Sequence, residues 1–576
     1  MKKIVSIFMA AALLFAAAAV PASAEEITVR KKMVNVAKNK PITSDTNRSP
    51  DSHLPHEAVD DEVESKANNF WFGYTAGQRA SFVLDLQRRY PIEAIRIFDR
   101  ADAPTPNRGK FEIWGADQAD MSDKRLLFEL NDNDAFPAKG DYLITLSEKP
   151  ICRYVQYLAK ESAVVYIREF QVFASFTAMK ISRGVKTWTA GNHGGCEGSK
   201  AVDGDYGSAY ATGALSTPAG DDIYSSFTMD LGEAKSIDMI ELYGRKAGTN
   251  RDMDGNFKVY GSNDGTVTDF EAVPEGSATP AGQMPTAEFE ALGYTAIADF
   301  SHATYEYVCS DGSKYEPYPY YNFQTDPRPY PWQMMVNRDE VYRYLTHRKT
   351  AAKAIAQFSE FKVYQINPEL QNICMDNGQL VLEFSDEMDA ESVREALTIT
   401  ESGTGEAVMP DSVMTDAAKP WQISVTLPEM FGKTLQVRLN RDAADLRGVS
   451  LDTVYQKNLT LPKALQVLNA TLTDANETAL TALSGVSEIY AAPQFTNNAS
   501  APQKVLALLC VYNEAHTLIK LNVAQADIAA GASAVRVPLS VTLNAPLTAG
   551  DYVTLHLWNG LNAAEAWQSA VKMTAE

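Results

Sequence analysis

The sequence predicts an all-β protein built from several antiparallel β-sandwiches in tandem. Three observations carry this reading. The chain has 576 residues, more than a single hydrophobic core supports. Its patterned stretches are short, rich in Val, Ile and Phe, and alternate or run apolar between turn clusters. A block of such strands occurs twice, and units of short strands and turns make antiparallel sandwiches, not parallel sheets layered with helices.

The first element is an export signal. Lys2 and Lys3 precede an apolar run from Ile4 to Ala19, and Ala22-Ser23-Ala24 offers a small-residue cleavage site. Residues 1–24 are therefore expected to be removed, and the mature protein to be secreted, extracellular or associated with a cell surface. No later run reaches the roughly 18 apolar residues of a membrane span, so no membrane insertion is expected. The formal net charge of -21 argues against a nucleic-acid partner. Five scattered cysteines do not form a disulfide framework, and Cys510, in "VLALLCVY", reads as a small buried hydrophobe. Cys196 and Cys309 are candidates for a bridge.

The repeat comes next. "AVDDEVESKANNFW" from Ala58 is echoed by "AVDGDYGSAYATG" from Ala201, "SFVLDL" by "SFTMDLG", "IEAIRIFDR" by "IDMIELYGR", and "YIREFQVFAS" by "AQFSEFKVYQ". Asp60 and Asp203 are 143 residues apart, Asp85 and Asp230 145, and Glu169 and Glu360 191. The jump places an insertion of roughly 45 residues between Gly265 and Arg343 of the second copy. In that copy, two aspartates flank the glycine of "VDGD". Such a stretch is either a solvated turn or a loop that converges oxygens on a hard cation.

With these pieces in order, each copy resembles a discoidin-type (coagulation-factor type C) domain, a galactose-binding-like jelly roll related to family 32 carbohydrate-binding modules. The pattern comprises "NVAKNKPIT", "AVDGD", "DLG", an Arg ending the next strand, "SNDG", an Arg-Tyr strand and a closing "EF.VY". The resemblance sets domains at 33–176 and 177–366. It implies a structural calcium ion held by Asp203, Asp205, Ser208 and Glu360 in the second copy. In the first, Asp60 and Glu169 match, but "AVDDE" lacks the glycine and has Glu62 for the second Asp. It also implies sugar contacts from Arg100 and Asn107 in the first copy and Arg245 and Asn250 in the second. A guanidinium fork and an amide suit sugar hydroxyls. Galactose-binding relatives often have a His after the first-loop Trp; here Phe72 follows Trp71 and Ala211 follows Tyr210, which speaks against galactose-type specificity. Trp71 and Phe72 are carried as candidate ring contacts.

The insertion contains "YEYVCSDGSKYEPYPYYNFQTDPRPYPW" from Tyr305 to Trp332. Its prolines exclude a regular helix or central strand, leaving a long loop or an edge hairpin. Most of its rings are expected to pack down, with Tyr330 and Trp332 the candidates for a stacking surface. Residues 367–463 resemble a bacterial Ig-like domain, from "FSDEMDAESV" through "ADLRGVSL". Residues 464–576, with "KVLALLCVY", "AVRVPLSVTL" and "DYVTLHLWN", look like another Ig-like sandwich, a spacer or contact platform. The sequence has no HExxH, GxSxG, P-loop or CxxC motif, so no enzyme is expected. The reading is a secreted, non-catalytic protein that binds extracellular glycans through tandem discoidin-like modules. The alternative is a cell-surface adhesion or scaffold protein with protein partners.

Overall fold

A computed structural model describes residues 27–48, 52–60, 63, 70–99, 110–131, 141–162, 164–190, 195–205, 207, 210–211, 226–243, 257–299, 307–308, 314–315, 331–336, 341–350, 356–376, 378–560 and 565–576. It is nearly all β, with 52% strand and 6% helix. The chain forms two compact units, 1–369 with 446–452, and 370–445 with 453–576.

In the first unit the two copies repeat strand for strand. Ser81–Phe98 pairs antiparallel with Ile151–Ala159, Ser81 facing Leu158 and Asp85 facing Tyr154, before the register shifts ahead of Tyr90. Ser226–Ser236 pairs with Val341–Lys349 in the same way: Ser226 faces Arg348, Asp230 faces Tyr344, and the register shifts ahead of Lys235. The repeated Asp has a structural job. Arg153 donates from Nε and Nη2 to the two Asp85 oxygens at 2.8 and 3.0 Å. Arg343 does the same to Asp230 at 2.7 and 2.9 Å. Each guanidinium also lies 5.1 Å over the ring of the following tyrosine, Tyr154 or Tyr344. A flat fork matched to a carboxylate fixes the register of the two strands at that point.

Each copy has its own core. Trp71, Phe82, Phe111, Tyr157 and Phe170 fill the first; Phe227, Phe257, Phe358 and Phe361 fill the second. The copies are not separate bodies, however. The strand Glu169–Lys180 runs unbroken for 12 residues. Its first half pairs with Ser81–Phe98, and its second half with Ile27–Asn35 on one side and Glu360–Ile366 on the other, Ala178 facing Ile366. One 11-stranded sheet therefore spans both copies. Met239, Met335, Tyr364 and Ile366 of the second copy belong to the core of the first. The expected division at 176/177 falls inside this strand.

A buried charge marks the junction. Glu241 is fully buried. It accepts from Lys31 Nζ at 2.7 Å, Gln333 Nε2 at 2.5 Å, Tyr364 Oη at 2.9 Å and Tyr243 Oη at 3.1 Å. Burial pushes its pKa upward, but the Lys31 charge and these hydrogen bonds outweigh it and hold the carboxyl below its usual value. Lys31 comes from the first strand of the structure, so that strand ties both copies together.

The described part of the insertion is built into the fold. It forms a helix, Thr286–Ala291, and a strand, Thr295–Asp299, that extends the second copy's sheet beside Phe257–Ser262. Arg348, 1% exposed, anchors it by donating to the Ala281 carbonyl at 2.9 Å and to the Met284 carbonyl. Among the described residues Pro331–Met335 lies at the sheet's edge beside Met239–Tyr243, a position that tolerates proline.

In the second unit, strands within 370–460 form a four-stranded and a three-stranded sheet, with one helix, Ala390–Ala396. Asp389 caps that helix, its Oδ1 accepting from Glu391 N at 3.0 Å. From Leu465 on, two three-stranded sheets and one four-stranded sheet enclose a core of Val505, Ala507, Leu509, Val511, Val553, Leu555 and Leu557.

Candidate functional site

The loop end of the first copy gathers rings and cations around Phe72. The short strand Trp71–Gly73 pairs with Val165–Ile167, placing Phe72 opposite Tyr166. The segment before it is laced on by backbone bonds: Arg48 N donates to Phe72 O, Phe72 N to His53 O, and Tyr74 N to Thr46 O. This lacing brings Arg48 over the Phe72 ring at 4.8 Å and over Tyr74 at 5.6 Å. Tyr166 lies 4.7 Å from Phe72 on a tilted plane, and His53 stacks on Phe70 at 4.3 Å. Phe72, Tyr74, Tyr166, Arg48 and His53 are all partly exposed. Among the described residues, the Arg48 guanidinium rests on rings and makes no hydrogen bond or ion pair. Its donors are thus held in place by cation–π contacts and left available to oxygen acceptors.

Phe72 is thus part of the cluster, wedged between Arg48 and Tyr166. Trp71 corrects the expectation of a ligand contact. It is fully buried, edge-on to Phe82 at 5.0 Å and to Tyr157 at 6.2 Å, and packs the core. The alternation of a strand explains the difference: neighbouring residues point to opposite faces. Arg100, Asn107, Arg245, Asn250 and Tyr330 lie outside the described residues, as do Ser208 and Cys309. Trp332 is placed on the edge strand opposite Leu242. Arg48, His53, Tyr74 and Tyr166 escaped sequence reasoning. Only pairing across the loop end brings Arg48 and His53 to Phe72, and no local spacing signals it.

The second copy carries other residues at the matching places. Tyr210–Ala211 pairs with Gln357–Phe358, so Ala211 and Gln357 stand where Phe72 and Tyr166 stand in the first.

In the second copy a backbone bond joins the Asp203–Asp205 loop to Glu360. Gly204, at φ +86, turns its N–H to Glu360 Oε1 at 2.6 Å, bringing the Asp203–Asp205 loop to the closing strand. The loop is braced internally, Asp203 Oδ1 accepting from Asp205 N at 2.7 Å and Asp205 Oδ1 from Gly207 N at 2.8 Å. Glu360 is fully buried, and Lys180 Nζ sits 3.3 Å from its Oε2. Burial raises the Glu360 pKa, opposed by Lys180 and the Gly204 N–H. Both Glu360 oxygens thus already meet donors, and Lys180 competes for any cation's place. Among the described residues no group of three or more His, Cys, Asp or Glu is arranged to hold a metal ion. In the first copy, Glu169 is fully buried at the register matching Glu360, facing Phe98 as Glu360 faces Tyr243.

No curated protein sequence matches the chain. Among solved structures, a fucolectin from striped bass serum is similar at 15% identity and TM-score 0.23, covering 58% of this chain and 99% of its own. A Clostridium perfringens CBM32 module in complex with GalNAc-β-1,3-galactose shows 19% identity and TM-score 0.21 over 24% of this chain and 100% of its own. A Streptococcus pneumoniae fucose-binding module shows 15% identity and TM-score 0.21 over 25% and 98%. At the level of family models, residues 184–293, within the second copy, match the F5/8 type C domain.

Proposed function

We propose that this is a secreted, non-catalytic glycan-binding protein, and that its sugar contact is the Arg48–Phe72–Tyr166 end of the first copy. The observation that carries the reading is the Arg48 guanidinium, fixed on two rings with its donors uncommitted among the described residues. A planar fork suits vicinal hydroxyls, and the exposed parts of Tyr74 and Tyr166 offer apolar contact to a sugar face. The F5/8 type C match in the repeated scaffold supports a loop-borne binding site. We read 367–463 and 464–576 as Ig-like modules that space or present it.

The test is a glycan array probed with the full mature chain and with Arg48→Ala and Phe72→Ala. Retention of a glycan by the parent, weakened at least about tenfold in both variants, supports the reading; tenfold corresponds to about 1.4 kcal/mol. Binding of no glycan, or equal binding by the variants, overturns it. Release of reducing ends from polysaccharides would overturn the non-catalytic part.

Calcium at Asp203, Asp205 and Glu360 is a further part of this proposal, supported by the Gly204 N–H bond that joins the loop of the two aspartates to Glu360. When bound it would supply a cross-link between that loop and the closing strand. A chelator that lowers the melting temperature of the parent, but not of Asp203→Ala, supports it. A parent indifferent to chelation and to added calcium overturns it.

A further inference from the structure

The end of the first copy that carries Arg48 and Phe72 presents a charge as well as rings, and the charge narrows the ligand. Acidic residues outnumber basic ones in this chain, 73 to 52. Elsewhere in the fold carboxylates hold the arginines: Glu112 holds Arg79 at 2.9 Å, Asp117 Arg89 at 3.0 Å, Asp85 Arg153 at 2.8 Å and Asp230 Arg343 at 2.7 Å. Arg48 departs from this pattern. Among the described residues its guanidinium meets the Phe72 and Tyr74 rings and no acid.

The two kinds of anchor leave the cation in different states. A carboxylate positions a guanidinium and quenches its charge. A ring face positions it through the ring quadrupole and leaves the charge whole. A neutral sugar laid over such a cation strips water from it and returns only hydroxyl dipoles. A carboxylate returns a full counter-charge, and its two oxygens match the planar fork of donors in a bidentate pair.

The neighbours set how much charge the end carries. His53 borders the same Phe72 ring, with centroids 6.4 Å apart, and stacks on Phe70. Its Nδ1 lies 3.9 Å from Glu57 Oε2, which also accepts from Phe70 N at 3.0 Å. Glu57 is thus committed to the backbone and to His53, and a protonated His53 has its counter-ion at hand. Within this cluster Arg48 supplies the one uncompensated positive charge. One such charge, in a chain of net charge -21, suits a ligand with one acid group; the field of the remaining chain opposes a densely charged polyanion.

We propose that this end takes a sugar bearing a single carboxylate, a uronic or sialic acid residue. Arg48 binds the carboxylate with its fork, and the exposed parts of Tyr74 and Tyr166 meet the apolar face of the same sugar. The inference rests on the glycan reading of this end and adds to it the class of sugar.

The experiment is titration calorimetry of the full mature chain with two matched pairs of probes: a trigalacturonide against its methyl ester, and sialyllactose against lactose. A heparin oligosaccharide, densely sulfated, is the fifth probe. In at least one pair the acid should bind about tenfold or more tighter than its neutral partner, because charge-assisted hydrogen bonds are the stronger kind. The pair that shows the preference tells a uronate site from a sialate site. The preference should narrow between about 20 mM and about 500 mM salt, since an exposed ion pair is screened. Arg48→Gln keeps hydrogen-bond donors without the charge and should lose the preference. Arg48→Lys keeps the charge without the fork and should retain part of the preference at lower affinity. Melting temperatures equal to the parent's, expected at this exposed position, exclude a folding cause.

Equal binding of acid and neutral partner, both weakened in Arg48→Gln, overturns the acid assignment and leaves the glycan reading standing. An acid preference that survives Arg48→Gln overturns the assignment to Arg48. Tighter binding of the heparin oligosaccharide than of either acid overturns the single-carboxylate class. Binding of none of the five probes overturns the acid assignment, and the glycan array then decides the wider reading.

Discussion

His347 gives the second copy a built-in sensitivity to mild acid. It lies on Val341–Lys349 facing Phe227, with Phe257 at 4.6 Å and Phe358 at 5.0 Å, and is 2% exposed. Burial, with the nearby Lys349 charge, pulls its pKa down to about 3. In the unfolded chain a histidine titrates near 6.5. Between these values the unfolded state binds the extra proton. The stability associated with a neutral His347 is therefore complete above about pH 6.5 and is lost as the pH falls toward about 3. At up to about 1.4 kcal/mol per pH unit, the loss is about 2 kcal/mol at pH 5. For a body of this size that is about 2–3 °C in melting temperature. Calorimetry of the full chain at pH 7 and pH 5 reads it directly, in a window above the titration of most carboxylates. His347→Phe removes the proton site while keeping a ring between Phe257 and Phe358. The variant should lose most of the pH 7 to pH 5 shift in the first unit's transition. If His347→Phe shows the same drop as the parent, the reasoning fails.

Other predictions test the junction and the scaffold. Lys31→Met leaves Glu241 buried without its cation and should cost about 3–5 kcal/mol, whereas Lys31→Met with Glu241→Gln should recover much of that; chemical denaturation of all three chains decides it. Gly261→Ala should destabilise by about 1–3 kcal/mol, since its Cβ would fall 2.2 Å from the Tyr342 ring; a melting temperature equal to the parent's would show that ring to be free to yield. Asp230→Asn should weaken the register-fixing pair with Arg343 and steepen urea sensitivity. Because that pair holds the Asp230 carboxyl below its usual range, its contribution should be present above about pH 4 and fade as the acid group is protonated.

Much of the first unit was legible because a repeat exposes its own strand register. The spacing that joins Asp85 to Asp230 also joins Ser81 to Ser226, and both strands shift register after the same Asp. The Asp203–Asp205 loop meets the closing strand through one bond, from Gly204 N to Glu360 Oε1. What stayed hidden depends on distant pairing. The resemblance sets a boundary at 176/177, yet "ASFTAMK" is the second half of a buried strand whose partners lie near residues 30 and 364. Lys31 and Glu241 are far apart in sequence, and nothing local marks either as the other's counterion. Trp71 and Phe72 are adjacent and chemically alike, so only the strand's alternation separates core from surface.

The unbroken strand from Glu169 to Lys180 also decides how this protein can be taken apart. Cutting where the repeat suggests, after Phe176, would sever a single ladder, strip Thr177–Lys180 of the Ile27–Arg30 strand and leave Glu241 without Lys31. Each fragment would expose a raw sheet margin and half of a shared core, and its behaviour would report the damage before the ligand. The smallest inheritable piece is therefore the pair, and questions about which half does what are answerable by substitution and not by truncation.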